Sequence, residues 1–224
     1  MKTIIVSGAS GNLGQAISKK FLDSSYKVIG TITKAGEELF PGNNNFETVT
    51  IDLTNEMASH EFVDAMIAKY NTIDVVVLTA GGFAPGKLND TTIDALQHQF
   101  KLNFATAFNL AQPLFKHMME RKSGRLFITG ARTGSDMRLR KGAVAYGLSK
   151  SLIFRLAELM NDEAKGTDVV TTVISPSTID TPQNRKAMPD ADFKKWVKPE
   201  LIADMVYAYC EESFSTLREP VIKA

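Results

Sequence analysis

The chain has 224 residues, 44% hydrophobic and 23% charged, a composition that fits one globular domain large enough to bury a substantial core. Its net charge of +1 gives no electrostatic footing for nucleic acid or an anionic membrane as a partner. The lone Cys210 excludes an intrachain disulfide, the scattered His60, His98 and His117 lack ligand spacing, and no apolar run reaches signal-peptide or membrane-spanning length; the expectation is a single cytoplasmic domain over residues 1–224 with no metal.

Short β-branched runs alternate with amphipathic stretches from the start. Thr3–Val6 reads as a buried strand ended by glycine, and Leu13–Leu22 reads as a helix. Between them lies Ser7-Gly8-Ala9-Ser10-Gly11-Asn12-Leu13-Gly14. One glycine permits a tight turn, one lets a phosphate approach the backbone, and one lets helix and strand pack closely. The exposed N–H groups at the helix start suit a pyrophosphate. Gly8, Ser10, Gly11, Asn12, Leu13 and Gly14 are therefore the candidate dinucleotide loop.

Lys27–Thr31 is the second strand. A dinucleotide site usually carries an acid at its end, to bind the adenosine ribose. Here the sequence is Thr31-Ile32-Thr33-Lys34, with no carboxylate to repel a 2′-phosphate. Thr33 and Lys34 could contact one, which tilts the expected cofactor toward NADP(H) over NAD(H), although Lys34 reads equally as a solvated loop lysine. After a surface loop at Pro41–Asn45, the third strand is Glu47–Ile51. Asp52 and Leu53 would flank the adenine, with helix capping as the other reading of Asp52.

A helix carrying Phe62, Val63, Met66, Ile67 and Tyr70 precedes the fourth strand, Val75–Leu78. Two helical stretches follow, Thr92–Leu102 and Ala105–Arg121, with Pro113 kinking the second or marking a less regular turn. Arg125–Thr129 is the fifth strand. The next helix has Ala145, Leu148, Leu152, Leu156 and Leu159 as its apolar positions. Val169–Ile174 is the sixth strand. Pro199 belongs in the first turn of a helix to about Cys210, and Pro220-Val221-Ile222 is a short seventh strand. This alternation predicts an α/β fold, a doubly wound parallel sheet of about seven strands with helices on both faces. Ligands then bind at the C-terminal edge of the strands.

Tyr146 and Lys150 stand four residues apart on one face of their helix. An ammonium beside a phenol favours the phenolate, so Tyr146 is a candidate proton donor or acceptor near neutral pH.

Taken in order, Gly8, Gly11 and Gly14, then Asp52, Ala80-Gly81-Gly82, Tyr146 and Lys150 resemble the short-chain dehydrogenase/reductase family over essentially the whole chain. The resemblance implies one Rossmann-type domain that binds NAD(P)(H) and reduces a small molecule. It adds Ala80, Gly81 and Gly82 to the cofactor site and puts Asn103 where the family holds a proton-relay water. It also implies that Pro176, Ser177, Thr178 and Ile179 close over the nicotinamide, while Lys150 binds the nicotinamide ribose and lowers the Tyr146 pKa.

A narrower likeness is carried by Ala80-Gly81-Gly82-Phe83-Ala84, Thr129-Gly130-Ala131-Arg132 and the segment Asp180–Phe193, which are similar to their counterparts in dihydropteridine reductases. Phe83 stands where those reductases carry an aromatic, and would stack on a pterin. Most members of the wider family place a serine after the fifth strand, where it polarises the substrate carbonyl. Here strand register puts Ala131 in that place, and distance from Tyr146 puts Thr133 there. Dihydropteridine reductases also lack the serine. A quinonoid dihydropterin accepts hydride into a conjugated, imine-like ring and develops no localised alkoxide needing that donor. Two departures stand against the narrower likeness: Asn103 is not the residue of the animal dihydropteridine reductases, and their NADH preference fits poorly with a second strand lacking its acid.

The expected activity is thus NAD(P)H-dependent reduction of quinonoid dihydropterin or a similar acceptor. Residues 180–197 would form a lid, with Met188, Phe193 and Trp196 toward the substrate or, on the other reading, packing under the loop. One alternative is a broader carbonyl or ketone reductase using Thr133; another is a non-catalytic NAD(P)-binding sensor, against which the Tyr146/Lys150 pair argues. Apolar residues on more than one face of Ala105–Arg121 and Gly142–Met160, with the family's habit of pairing through these helices, imply a homodimer or homotetramer.

Overall fold

The computed structural model describes residues 1–36, 38–139, 142–211 and 221–224. Its strands are β1 (Thr3–Ser7), β2 (Lys27–Ile32), β3 (Phe46–Thr50), β4 (Val75–Leu78), β5 (Ser123–Thr129), β6 (Asp168–Ser175) and β7 (Val221–Lys223). They form one seven-stranded sheet in the order β3-β2-β1-β4-β5-β6-β7, parallel throughout. The central strands β1 and β4 are buried at every position because both faces are covered, whereas the edge strand β3 has no fully buried residue. Successive side chains point to opposite faces. Ile4, Val6, Val75 and Val77 pack with Ile17 and Phe21 of α1 (Asn12–Asp23) and with Ile202 and Val206 of α8 (Pro199–Ala208). Ile5, Val76 and Leu78 pack on the other face with residues of α2 (Glu56–Tyr70), α4 (Thr106–Arg121) and α6 (Val144–Glu163). The remaining helices are α3 (Ile93–Phe100) and the short α5 (Arg132–Ser135) and α7 (Pro182–Ala187).

The doubly wound sheet expected from the sequence is present. Several local readings are corrected. The two stretches Thr92–Leu102 and Ala105–Arg121 are one continuous run: α3 leads through a π turn at Lys101–Ala105 into α4. Pro113 lies inside α4 without ending it, and the irregular turn is at 101–105. Asp52 does not cap α2. Its Oδ1 accepts the Thr54 N–H at 2.9 Å, while Asn55 is the N-cap, its Oδ1 accepting from Ala58 N–H at 3.1 Å. The last helix, Pro199–Ala208, has Pro199 in its first turn and ends close to Cys210, as expected. Of the expected seventh strand, Pro220 lies outside the described residues. Among the described residues, no helix is long and apolar enough to cross a membrane.

The β1 and β4 strands are neighbours although β2 and β3 intervene in sequence. Connections leave them toward opposite sides, which opens a crevice at their C-terminal ends. The glycine loop, Asp52, Gly81 and Tyr146 lie at or near that edge.

Candidate active site

The turn after β1 is built to bring backbone close to a ligand. Gly8 has φ +65°, a left-handed conformation that favours glycine. A Cβ on Gly14 would lie 2.3 Å from the Gly8 carbonyl oxygen, so α1 sits directly on the loop. Gly11, the N-cap of α1, offers no side-chain cap to the first turn, whose N–H groups are left for an anion. The Ser7 Oγ accepts the N–H groups of Thr79 (3.1 Å) and Ala80 (3.2 Å), and the Thr79 hydroxyl donates to the Ser7 carbonyl at 2.6 Å. These bonds lock the ends of β1 and β4 together beneath the crevice.

A cleft of about 550 Å³ runs along this edge. It is lined by Gly8, Ser10, Gly11, Asn12, Leu13 and Gly14 of the loop and by Thr31, Ile32 and Thr33 at the end of β2. Asp52 and Leu53 after β3, Ala80 and Gly81 after β4, and Ile179 complete the list of expected cofactor contacts that meet here. Lys34 does not line it, and is exposed. The Thr54 backbone N–H and the Thr54 hydroxyl hold the Asp52 carboxyl below its ordinary pKa. A glycine cradle that a Cβ would fill and a free helix start fit a dinucleotide.

Asn103 sits in the π turn and is fully buried. Its Oδ1 accepts the Gly82 N–H and its Nδ2 donates to the Gly82 carbonyl, both at 3.0 Å, with a further bond to Gln99 Oε1 at 3.0 Å. The side chain thus pins the Ala80-Gly81-Gly82 turn. A Cβ on Gly81 would stand 2.6 Å from Asn103 Oδ1 and 3.4 Å from Lys150 Nζ, so this glycine lets the asparagine and the lysine approach one spot. Gly82, also expected at the cofactor, does not line the cleft.

Lys150 is 4% exposed, and its ammonium donates to the Thr129 carbonyl at 2.7 Å. Burial brings its pKa down to about 8, which leaves it charged at neutral pH. Tyr146, one turn earlier on α6, meets the ring of Phe83 edge to face, centroids 5.1 Å apart.

Tyr146 and Phe83 line a second cleft of about 420 Å³ with Ala131, Arg132, Thr133, Leu139, Met188 and residues 176–179. Ile179 lines both clefts, which therefore adjoin at this residue. Both residues proposed for the serine's place are on this wall. Ala131 has only a methyl group, and the Thr133 hydroxyl is buried and unpartnered.

Residues 180–196 leave the sheet and return through a neck. Asp180 N–H donates to the Val197 carbonyl at 2.8 Å and Val197 N–H to the Thr178 carbonyl at 3.0 Å. Inside the excursion, Arg185 forks onto Asp180 at 2.6 and 2.8 Å, and its guanidinium lies 4.8 Å from the Phe193 ring centre. Phe193 in turn packs on Trp196. Met188 reaches the Tyr146 cleft, whereas Phe193 and Trp196 do not line it; their mutual stacking spends their apolar surface within the excursion. The Asn12 side chain donates to Gln183 Oε1 at 2.9 Å, tying this segment to the glycine loop. A larger cavity, about 810 Å³, lies behind that contact between α1, α7 and the start of α8 and does not include Tyr146.

Residues the sequence reading passed over include Thr129, Gln99, Gln183 and Arg132. Thr129 acts through its carbonyl, which no side-chain pattern marks. Gln99 precedes Asn103 by one turn, a signal that the i, i+4 rule could have supplied. Arg132 was visible beside Ala131 but had no assigned role.

The family model for short chain dehydrogenase matches residues 2–192. An uncharacterized oxidoreductase of Staphylococcus epidermidis is 24% identical over 229 residues, covering 99% of this chain and 96% of the relative. The dihydropteridine reductase of Dictyostelium discoideum is 26% identical over 217 residues, covering 96% and 90%. An acetoacetyl-CoA reductase of Acinetobacter sp. is 25% identical over 189 residues, covering 81% and 75%. Among solved structures, ElxO with NADP bound superposes with a TM-score of 0.91 at 19% identity, covering 99% of this chain and 96% of that one, a likeness of fold.

Proposed function

Taking the chain as a member of the short-chain dehydrogenase family, to which it belongs, we propose that this NAD(P)-dependent oxidoreductase reduces quinonoid dihydropterin or a similar conjugated, imine-like acceptor. The observation that carries the reading is the wall opposite Tyr146. Neither residue that could stand for the usual serine presents a hydroxyl there: Ala131 has none, and Thr133 Oγ1 is buried. An acceptor that develops a localised alkoxide loses most from that absence. The exposed face of Phe83 beside Tyr146 suits a flat ring, and the resemblance to a dihydropteridine reductase covers almost the whole chain.

In this reading the glycine loop and the start of α1 hold the pyrophosphate, and Asp52 and Leu53 flank the adenine. When bound, the dinucleotide supplies the hydride. Lys150, fixed on the Thr129 carbonyl, holds its ammonium beside Tyr146 and toward the nicotinamide ribose. Tyr146 donates the proton, helped by that charge. Asn103 holds the 80–82 turn and the relay beside it. Residues 180–197 form a lid over a single domain, with Met188 on the acceptor. Thr33, with no carboxylate at the end of β2, supports NADP(H) over NAD(H). Phe100, Phe104 and Phe108 stack in sequence, and Leu148, Leu152 and Leu159 are exposed on α6, which supports pairing of subunits through these helices in a cytoplasmic dimer or tetramer.

Thr133 favours a second reading, a broader carbonyl reductase. No hydrogen bond holds its hydroxyl, so one χ1 step would turn it to the cleft. Titration with NADPH and NADH, followed by turnover of quinonoid dihydropterin and a ketone panel with the tighter cofactor, separates the two. Good turnover of simple ketones with none of the dihydropterin rejects the pterin reading. Sedimentation that finds only monomer at micromolar concentration rejects the oligomer.

A further inference from the structure

Asn109 is a costly residue for its place. On α4 its neighbours Ala107, Leu110, Ala111 and Leu114 are buried in the core between the sheet, α2 and α6, and Asn109 itself is 7% exposed. A carboxamide in such a core costs free energy unless it is hydrogen-bonded, and an apolar side chain of the same size would pack there without that cost. Asn109 Nδ2 donates to the Leu53 carbonyl at 3.0 Å, a buried bond between residues far apart in sequence. Leu53 belongs to the turn between β3 and α2, whose other bonds are local. The Thr54 N–H goes to Asp52 Oδ1 at 2.9 Å, and the Asn55 N–H to the Asp52 carbonyl at 3.1 Å. The Ser59 hydroxyl is 3.5 Å from the Leu53 carbonyl but bonds the Asn55 carbonyl at 2.8 Å. Asn109 therefore supplies the close bond that ties this turn to α4. Among the described residues none accepts the Leu53 N–H. Asp52, Leu53 and Thr54 all line the cofactor cleft, whereas Asn109 lines neither it nor the Tyr146 cleft.

We propose that Asn109 is a positioning residue for the cofactor: by holding the Leu53 carbonyl it fixes the Asp52–Thr54 turn against α4, and so sets the preference for adenine as the base. The inference rests on the reading that Asp52 and Leu53 flank that base, and is independent of the acceptor. The turn carries an ionised carboxylate and an unengaged backbone N–H. These match the amino group and the ring N1 of adenine, an N–H donor and an acceptor. Hypoxanthine presents a carbonyl and an N–H at the same two atoms, the reverse pattern. Discrimination of this kind depends on both groups keeping their places. Without the Asn109 donor the Leu53 carbonyl becomes a buried acceptor with no close partner, and the turn must shift to find one. Asn109 acts through Leu53 and touches no reacting atom.

The test is a binding measurement and needs no acceptor. The tighter of NADPH and NADH is compared with the analogue of the same cofactor that carries hypoxanthine in place of adenine. Kd for each is read by nicotinamide fluorescence with wild type, Asn109→Leu and Asn109→Ala. Leucine keeps the volume without a donor, and alanine removes donor and volume together, so either variant that unfolds cooperatively carries the test. Wild type should bind the adenine cofactor about tenfold or more tighter than its analogue. In the variants Kd for the adenine cofactor should rise about tenfold while Kd for the analogue stays within about twofold, so that the preference collapses. A packing role alone would weaken both cofactors alike, because they differ only in the base. An equal loss of both, or a preference that survives in the variants, therefore overturns the proposal and leaves Asn109 a residue of the α2–α4 core. The underlying reading fails in a different way: if wild type binds the two cofactors equally, Asp52 and Leu53 do not read the base, and the role of Asn109 falls with them.

Discussion

Replacing Lys150 with methionine should cost catalysis and leave the fold as stable as before, or more so. The Lys150 ammonium is almost wholly buried, and burial brings its pKa from 10.5 down to about 8. At about 1.4 kcal/mol for each tenfold in the proton equilibrium, holding that charge at pH 7 costs the folded state roughly 3 kcal/mol. Methionine removes this cost at similar volume. It also leaves the Thr129 carbonyl, the lysine's acceptor, without a buried donor, at a cost of about 1–3 kcal/mol. The net change lies between about zero and 2 kcal/mol in favour of the variant. The sign with pH is specific. Below pH 8 the lysine is protonated in both states, and the full cost is present. Between pH 8 and 10.5 the unfolded chain binds the extra proton, so wild-type stability rises with pH. Urea unfolding of both proteins from pH 7 to 10.5 should therefore show wild type gaining on Lys150→Met by roughly 3 kcal/mol. A variant destabilised by more than about 2 kcal/mol at pH 7, or a stability difference that does not move with pH, would refute the reasoning.

Tyr146→Phe should lower turnover by about 10²–10⁴ with cofactor affinity kept in fluorescence titration; unchanged turnover removes Tyr146 from the chemistry. Gly14→Ala drives a Cβ to 2.3 Å from the Gly8 carbonyl, whereas in Gly11→Ala the nearest atom is 3.3 Å away. The first should lose about 1–3 kcal/mol of stability and most NADPH binding, and the second much less; equal effects would show that the loop gives way easily. His117 accepts the Ile73 N–H through Nε2 at 3.3 Å, and burial lowers its pKa. The unfolded chain takes up that proton first as pH falls through 6.5, so stability should decline there. A flat profile from pH 7 to 5 in a His117→Gln difference measurement would refute this.

The strands were legible because parallel strands covered on both faces must be unbroken apolar runs, as Val75–Leu78 is. The glycine loop was legible because its spacing encodes a backbone requirement, and the structure gathers the whole loop around one cleft. What escaped depends on contacts distant in sequence. Asn55 and Asp52 are both able to cap, and only the backbone path chooses Asn55. The π turn at 101–105 has no composition of its own, being ordinary helix formers bent around a demand made by Gly82. Trp196 read as a ligand contact because large aromatics often line sites, yet its partner Phe193 and the Arg185–Asp180 fork turn the pair elsewhere. Lys34 gave no sign of whether it would turn inward.

The π turn has a further consequence for how this chain tolerates change. A helix that carries one residue more than its neighbours per turn behaves as a stored insertion, and each residue gained or lost swings everything beyond it by about 100°. Deleting one residue within 101–105 would leave a longer, more regular and intrinsically favourable helix. It would also swing Gln99 and the rest of α3 around relative to Asn103 and α4. A change of length in this region therefore breaks the Gln99–Asn103–Gly82 bonding, whereas the surface loop at 41–45 lines neither the cofactor cleft nor the Tyr146 cleft.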